Sequence, residues 1–199
     1  LILTVLLLNA LDADGDIELL ESARKGNRDA FGRLVRKYEK RVFRVARRMC
    51  MNDDDAWDIT QDAFIRAMQA MEGFDTRYRF FTWMYRIVTN LAINLSEKRK
   101  RRGEVLFDEE YGADGRQSIP DNAVEIAHTN QLAAAIREAV TDLSPPLRAV
   151  FVLRVDSELS YSEIAETLDI AIGTVMSRLN RARGQVRSAV GYLLGGEPE

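Results

Sequence analysis

The sequence is poor in the residues that most catalytic and metal chemistry needs. It holds one cysteine, Cys50, and one histidine, His128. A single cysteine excludes an internal disulfide and fits a reducing cytoplasm. One cysteine and one histidine far apart argue against a zinc site or a Cys/His catalytic pair. Cys50 lies between Met49 and Met51 at the end of an apolar-periodic stretch and reads as a small core residue. No glycine-rich phosphate loop and no nucleophile–base pair with supporting context is present, so an enzyme is the weakest reading. No catalytic residue, metal, cofactor or small-molecule substrate is expected. Proline is scarce, with two of the four residues paired at Pro145 and Pro146, so little interrupts a helical chain. Long apolar runs are missing too. The first eight residues, LILTVLLL, are too short to cross a bilayer. They lack the preceding bases of a signal peptide and run into Asp12, Asp14 and Asp16. They read as a tail without membrane insertion.

Charge of one sign is not in excess, at a formal net charge of -3. That average hides alternating blocks. Residues 23–50 carry eleven Lys and Arg against Asp29 and Glu39, and residues 51–75 carry seven acids against Arg66. Residues 76–102 carry eight bases against Glu97, and residues 103–130 carry seven acids against Arg116. Such segregation points to separate acidic and basic faces for separate partners. Solvated helix faces would give the same blocks. With 46% hydrophobic residues, the chain has apolar mass for one large domain or two small ones.

Apolar spacing of three and four runs through the chain. Phe31, Leu34, Val35, Tyr38, Val42, Val45, Ala46 and Met49 form one stripe of a helix over residues 28–50. A second helix is expected from Asp53, an N-cap residue type, to about Glu72. It places Ala56, Ile59, Ala63, Met68 and Met71 inward and stops at Gly73. A third runs from about Arg79 to Arg101, with Phe81, Met84, Tyr85, Val88, Leu91, Ala92 and Leu95 inward. It closes on five bases at 98–102 except for none of them being needed beyond a cap. Residues 103–121 lose periodicity and read as an acidic linker. Beyond it, one helix carries Leu132, Ala135, Ile136, Ala139 and Val140. Ser144 and Pro145 open another, with Leu147, Val150, Phe151 and Val155. Ser160 and Glu163 have capping-box form and open a short helix through Ile164, Ala165 and Leu168. Residues 169–173 make a turn. A last helix runs from about Thr174 to Leu193, with Val175, Leu179, Ala182, Val186 and Val190 inward.

Three constellations carry function. Residues 160–183 describe a helix-turn-helix, with Ala165 small at the helix crossing and Ile170 and Val175 plugging the corner. Its second helix would present Thr174, Met176, Ser177, Arg178, Asn180 and Arg181 to base edges and phosphates. An ordinary helical hairpin with solvated arginines fits the same pattern. Residues 74–102 interleave aromatics with bases, which suits single-stranded or melted DNA. Against that, Phe81, Met84 and Tyr85 fall on the buried stripe. Residues 53–68 place acids and the polar Gln61 along one helix, a docking face for a basic protein or a solvated acidic surface.

Together these segments resemble an extracytoplasmic-function (ECF) sigma factor of the sigma-70 family. DDAWDITQDAFIRAMQAM resembles the family's polymerase-binding helix, and FFTWMYRIVTNLAINLSEKRKR its promoter-melting helix. LSPPLRAVFVLRVDSELSYSEIAETLDIAIGTVMSRLNRARGQVR resembles its second conserved domain. The resemblance covers roughly residues 16–192. It implies an all-α fold of two small helical domains, a region 2 bundle at 16–102 and a region 4 helix-turn-helix at 122–193. The linker would be 103–121, with tails at 1–15 and 194–199. It further implies that Asp55, Asp58, Gln61, Asp62 and Phe64 bind the β′ clamp helices of core RNA polymerase. Phe74, Arg77, Tyr78, Arg79, Phe80, Arg86, Asn90, Lys98, Arg99 and Arg101 would meet the −10 element, the loop at 74–80 capturing a flipped base. Ser160, Thr174, Met176, Ser177, Arg178, Asn180 and Arg181 would meet the −35 element, and the same domain would touch the β flap. The other implied partner is an anti-sigma factor, acting on a cytoplasmic monomer. Met176 stands where the family often has Lys or Arg, Asn180 where it often has His or a small polar residue, and Thr60 where an apolar residue is common. A stand-alone helix-turn-helix regulator would explain residues 160–183 but not the other two segments. A degenerate sigma factor serving only as an interaction protein is the other alternative.

Overall fold

Helices form where an apolar stripe is continuous and stop where a cap or a left-handed residue intervenes. The computed structural model describes residues 16–76, 78–102 and 123–194, and their regular structure is all helical. The linker at 103–121, the tail at 1–15, Arg77 and residues 195–199 lie outside the described residues.

The apolar stripe does not anticipate helix α1 (residues 16–24). Asp16 ties it to α2 (Arg28–Cys50): its buried carboxylate accepts from Lys37 Nζ at 2.9 Å and from the Tyr38 hydroxyl. Between them Gly26 adopts φ 89°, a conformation costly for residues with a Cβ. Asn27 caps α2, its Oδ1 accepting from the N–H groups of Asp29 and Ala30 at 3.0 and 3.1 Å. The buried face of α2 is the expected stripe, with Val35 half-buried at its edge. Met51, left-handed at φ 57°, ends α2, and Asn52 caps α3 (Asp53–Ala70). The three aspartates 53–55 thus occupy the first turn, at the positive end of the helix dipole.

Helix α3 buries Ala56, Ile59, Thr60, Ala63, Phe64 and Ala67, then passes into a 3-10 turn at Met71–Gly73. Met68, expected inward, is exposed because Ala67, one position earlier, already occupies the buried face. Helix α4 (Phe80–Arg102) buries Phe80, Phe81, Met84, Tyr85, Val88 and Ala92, while Leu91 and Leu95 are half-buried. Helices α2, α3 and α4 pack on one another, with the small Ala46, Ala56, Ala63 and Ala67 allowing close approach. At one end, Tyr38, Phe74, Phe80 and Trp83 form a ring cluster with centroids 4.7–6.1 Å apart.

The second lobe consists of α5 (Ala123–Asp142), α6 (Pro145–Val155), α7 (Tyr161–Leu168) and α8 (Ile172–Val190), with a closing 3-10 turn at Gly191–Leu194. Pro145 sits in the first turn of α6, as expected, but the Ser144 side chain makes no cap bond. Val155 and Ile136, expected inward, are exposed at the edges of their stripes. The capping box of α7 is complete: Ser160 Oγ accepts from Glu163 N–H, and Glu163 Oε2 accepts from Ser160 N–H at 2.8 Å. Asp169 ends α7 in the left-handed region at φ 54°, and Ile170 N–H donates to Ala165 O at 3.0 Å. This tight turn lets α8 start at Ile172, two residues before the expected Thr174. Ala139, Val140, Leu143, Ala182 and Val186 form this lobe's own core, with Leu147 and Phe151 against it.

The lobes touch directly. One hydrophobic cluster runs from α2–α4 into Ala149, Val150, Leu153, Ile164 and Ala165. At the seam lies Arg148, only 4% exposed. Its Nη1 donates to Met49 O at 2.7 Å, its Nε to Val140 O at 3.1 Å, and its Nη2 to Leu143 O at 3.2 Å and to Thr141 O. One guanidinium therefore satisfies carbonyls at the C-terminal ends of both α5 and α2, which have no partner within their own helices.

Candidate protein-binding and nucleic-acid-binding faces

The outer side of α3 carries Asp54, Asp58, Gln61 and Asp62, all exposed. Among them stand Trp57, Ile65 and Met68, spaced along the same side and also exposed. The Trp57 ring stacks on Phe43 at 4.3 Å, which fixes its orientation while leaving it 44% exposed. Two expected members of this face are placed differently. Phe64 is buried in the bundle. Asp55 is half-buried and holds Arg99 in a two-point ion pair, with Arg99 Nη2 2.8 Å from Oδ1. The pair joins α3 to α4, so both residues serve the bundle. Thr60, the odd polar residue in this segment, is buried with its hydroxyl donating to Ala56 O at 2.7 Å, which removes the cost of burying it.

The segment before α4 divides sharply. Phe74 and Phe80 are 4% and 2% exposed and belong to the ring cluster, so neither presents a free ring. Tyr78 is exposed, and Arg77 lies outside the described residues. Along α4, Arg79, Arg86, Asn90, Lys98 and Arg101 are exposed. Arg79 lies over the Phe81 ring at 5.7 Å. It also reaches Glu163 Oε1 at 3.2 Å, and Arg86 reaches Asp169 Oδ2 at 3.0 Å. Both acids come from the second lobe. A cleft of about 920 Å³ opens here, lined by Phe74, Tyr78, Trp83 and Arg86 on one side and Glu166, Thr167 and Asp169 on the other. Trp83, half-buried against Phe74 at 4.7 Å, is a floor residue that the apolar pattern alone did not separate from the core.

On α8, Val175, Leu179, Ala182 and Val186 are buried and hold the opposite side outward. Met176, Ser177, Asn180 and Arg181 are exposed, and Thr174 and Arg178 are half-buried. Ser177 Oγ donates to Thr174 O at 3.0 Å, and Ser160 is held by its cap. Arg183 is absent from the expected set, yet it lines one shallow cleft with Met176, Ser177 and Asn180. The signal was available: 176, 180 and 183 continue a spacing of four and three on the outer face.

Neither lobe offers chemistry. Among the described residues, no group of His, Cys, Asp or Glu could hold a metal ion, and no helix is long and apolar enough to cross a membrane. Cys50 is a core thiol. Burial pushes its pKa up to about 12, with the negative charge of Asp55 adding to the effect, so it stays protonated and unreactive at neutral pH.

Comparison with known proteins agrees with this layout. The family Sigma-70 region 2 matches residues 34–102, which span α4 and most of the helices packed on it. Sigma-70, region 4 matches residues 133–186, from within α5 into α8. The chain is similar to ECF RNA polymerase sigma factor SigW of Bacillus subtilis (strain 168), at 35% identity over 175 residues, 84% of this chain and 92% of the relative. Among solved structures, CnrH in complex with the cytosolic domain of CnrY aligns with TM-score 0.65 and 25% identity, covering 89% of this chain and 97% of that one. The sigma factor RpoE from Bartonella quintana, solved with the anti-sigma factor NepR, shares the fold at TM-score 0.64 and 21% identity, covering 81% and 96%. Two helical lobes, an acidic α3, a basic α4 and a helix-turn-helix thus meet matches to both conserved regions, and the chain belongs to the ECF sigma factors of the sigma-70 family, which bind core RNA polymerase and direct it to promoters.

Proposed function

We propose that three faces divide the work of this sigma factor. The outer side of α3 docks on the β′ clamp helices through Asp58, Gln61 and Asp62, with Trp57, Ile65 and Met68 as apolar anchors. Asp55 and Phe64 support that face from beneath. The exposed side of α4, with Tyr78, Arg79, Arg86, Asn90, Lys98 and Arg101, follows the −10 element, and Arg77 joins it by position in the sequence. Tyr78 and Trp83 offer stacking surface to a flipped base, while Phe74 and Phe80 shape the floor. Arg99 adds positive potential from its ion pair. On α8, Thr174, Met176, Ser177, Arg178, Asn180 and Arg181 read the −35 element, and Ser160 fixes the start of α7. Arg183 extends the phosphate contacts. Region 2 takes residues 16–102 and region 4 residues 122–193, with 103–121 between them, and region 4 also touches the β flap.

The observation that carries this reading is the exposure of unlike chemistry on neighbouring helices: acids around a half-exposed tryptophan on α3, and bases on α4. Acids steer a basic partner and repel DNA, aromatic anchors carry protein–protein affinity, and bases bind phosphates. With both lobes tethered to one polymerase, engaging one element raises the effective concentration of the other lobe at its own. A cytoplasmic anti-sigma factor is the partner that would hold the chain inactive, an extension from RpoE, whose structure was solved with one. The test is reconstituted transcription with bacterial core polymerase on a pool of promoter fragments. Asp58→Ala with Gln61→Ala should lose polymerase binding, and Arg178→Ala with Arg181→Ala should keep it and lose promoter binding. If the two pairs behave alike, the division of faces is wrong.

A further inference from the structure

The second lobe covers part of the surface assigned above to −10 DNA. Glu163 accepts from Arg79 and Asp169 from Arg86, at 3.2 and 3.0 Å. Two guanidiniums suited to phosphates meet carboxylates instead. The cleft beside them is acidic, lined by Glu72, Asp75, Glu166 and Asp169 as well as Arg86. DNA entering it would meet net negative charge.

We infer that the acidic edge of α7, formed by Glu163, Glu166 and Asp169, is an interaction surface for the chain's own −10-reading surface. There it stands in for DNA phosphates while the protein is free. This rests on the assignment of Arg79 and Arg86 to the −10 element. Size supports it. Elements centred at −10 and −35 lie about 25 base pairs apart, or about 85 Å of duplex. A folded chain of 199 residues has a radius of gyration of about 16 Å, hence a diameter of about 42 Å. The closed chain cannot span both elements. The lobes part on the promoter, and parting them frees Arg79 and Arg86. Ion pairs this exposed contribute little each and weaken with salt. They select which surfaces meet, while the apolar cluster across the seam determines how firmly.

The test is Glu163→Gln with Asp169→Asn in the full chain. Gln retains a capping box, and Asn tolerates the left-handed conformation at 169, so the fold is kept; a thermal melt checks this. Spin labels at Lys40→Cys and Ser188→Cys report the distance between lobes, with buried Cys50 left unlabelled. A short fluorescent single-stranded DNA of mixed sequence reports binding. The expected result is a shift to longer distances with DNA binding tighter by on the order of fivefold at low salt. Glu138→Gln with Asp142→Asn removes the same charge away from the seam and should change neither readout comparably. An unchanged distance overturns the inference and leaves the −10 assignment standing. A longer distance without tighter binding also overturns it, and locates the failure in the assignment of Arg79 and Arg86. An equal gain in the control pair reduces the effect to net charge and overturns it as well.

Discussion

In the first lobe, the aromatic residues expected at the −10 element are split between surface and core. Phe74 and Phe80 are packed with Tyr38 and Trp83, while Tyr78 between them is exposed. In the second lobe no such split occurs. The buried side of α8 is Val175, Leu179, Ala182 and Val186, and the expected reading residues fall around the outer side. The difference teaches how each lobe builds a site. The second uses a helix whose two sides are separate, so function and stability can be changed independently. The first places its site over a ring cluster, so the same side chains support the bundle and shape the binding surface.

The largest expected effect tests that dual role. Phe80→Ala removes a fully packed ring and should destabilise the protein by about 3–5 kcal/mol. Tyr78→Ala, two residues earlier, should leave the melt close to wild type while weakening binding to single-stranded DNA. Thermal unfolding and fluorescence anisotropy, run on both variants, separate the roles. Were Phe80→Ala to melt like wild type and lose only DNA binding, Phe80 would be a free reading residue and the contrast between lobes would collapse.

The same contrast explains what was legible beforehand. Periodicity identified α2, α4 and α8 almost to their ends, because each has one continuous apolar stripe. The capping box at Ser160 and the prolines at α6 marked their helix starts. Helix α1 was not legible, since Asp16 anchors it through Lys37 and Tyr38 by hydrogen bonds that no apolar stripe records. Arg148 was not legible either: an arginine beside two prolines reads as surface, and only the meeting of α2 and α5 explains its burial. Contact between lobes is likewise a tertiary fact. The alternating charge blocks foretold acidic and basic faces, but not that Glu163 and Asp169 would face Arg79 and Arg86. In α3 the motif resemblance pointed to Phe64 as the aromatic of the docking face. The helix geometry turns it inward and leaves Trp57 outside.

That exchange yields an intermediate effect. A half-exposed tryptophan among acids is the residue type that dominates interface energetics. Trp57→Ala should weaken binding to core polymerase by about 2 kcal/mol, roughly thirtyfold in Kd. Phe64→Ala should instead lower the melting temperature. Titration of labelled polymerase against each variant distinguishes them. A reversed outcome, with Phe64→Ala folding normally and losing polymerase, would restore Phe64 to the surface and make the first lobe as cleanly two-sided as the second.

The smallest effect in free energy is the sharpest probe of the second lobe. Met176 is 54% exposed and lies one position from the buried Val175, so Met176→Ala should leave folding within about 0.5 kcal/mol of wild type. A thioether on a major-groove helix makes no bidentate hydrogen bonds and offers apolar contact, which a thymine methyl can accept. The substitution should therefore cost on the order of 1 kcal/mol at a single base position and leave the salt dependence of duplex binding unchanged, since no phosphate contact is lost. Selection of binding sites from random duplexes, compared between Met176→Ala and wild type, reads this directly. Loss of preference at one position with the rest of the site intact is the expected pattern. Uniform weakening across all sequences, or a flattened salt slope, would mean that this side of α8 lies along the backbone and that the groove is read from elsewhere in the lobe.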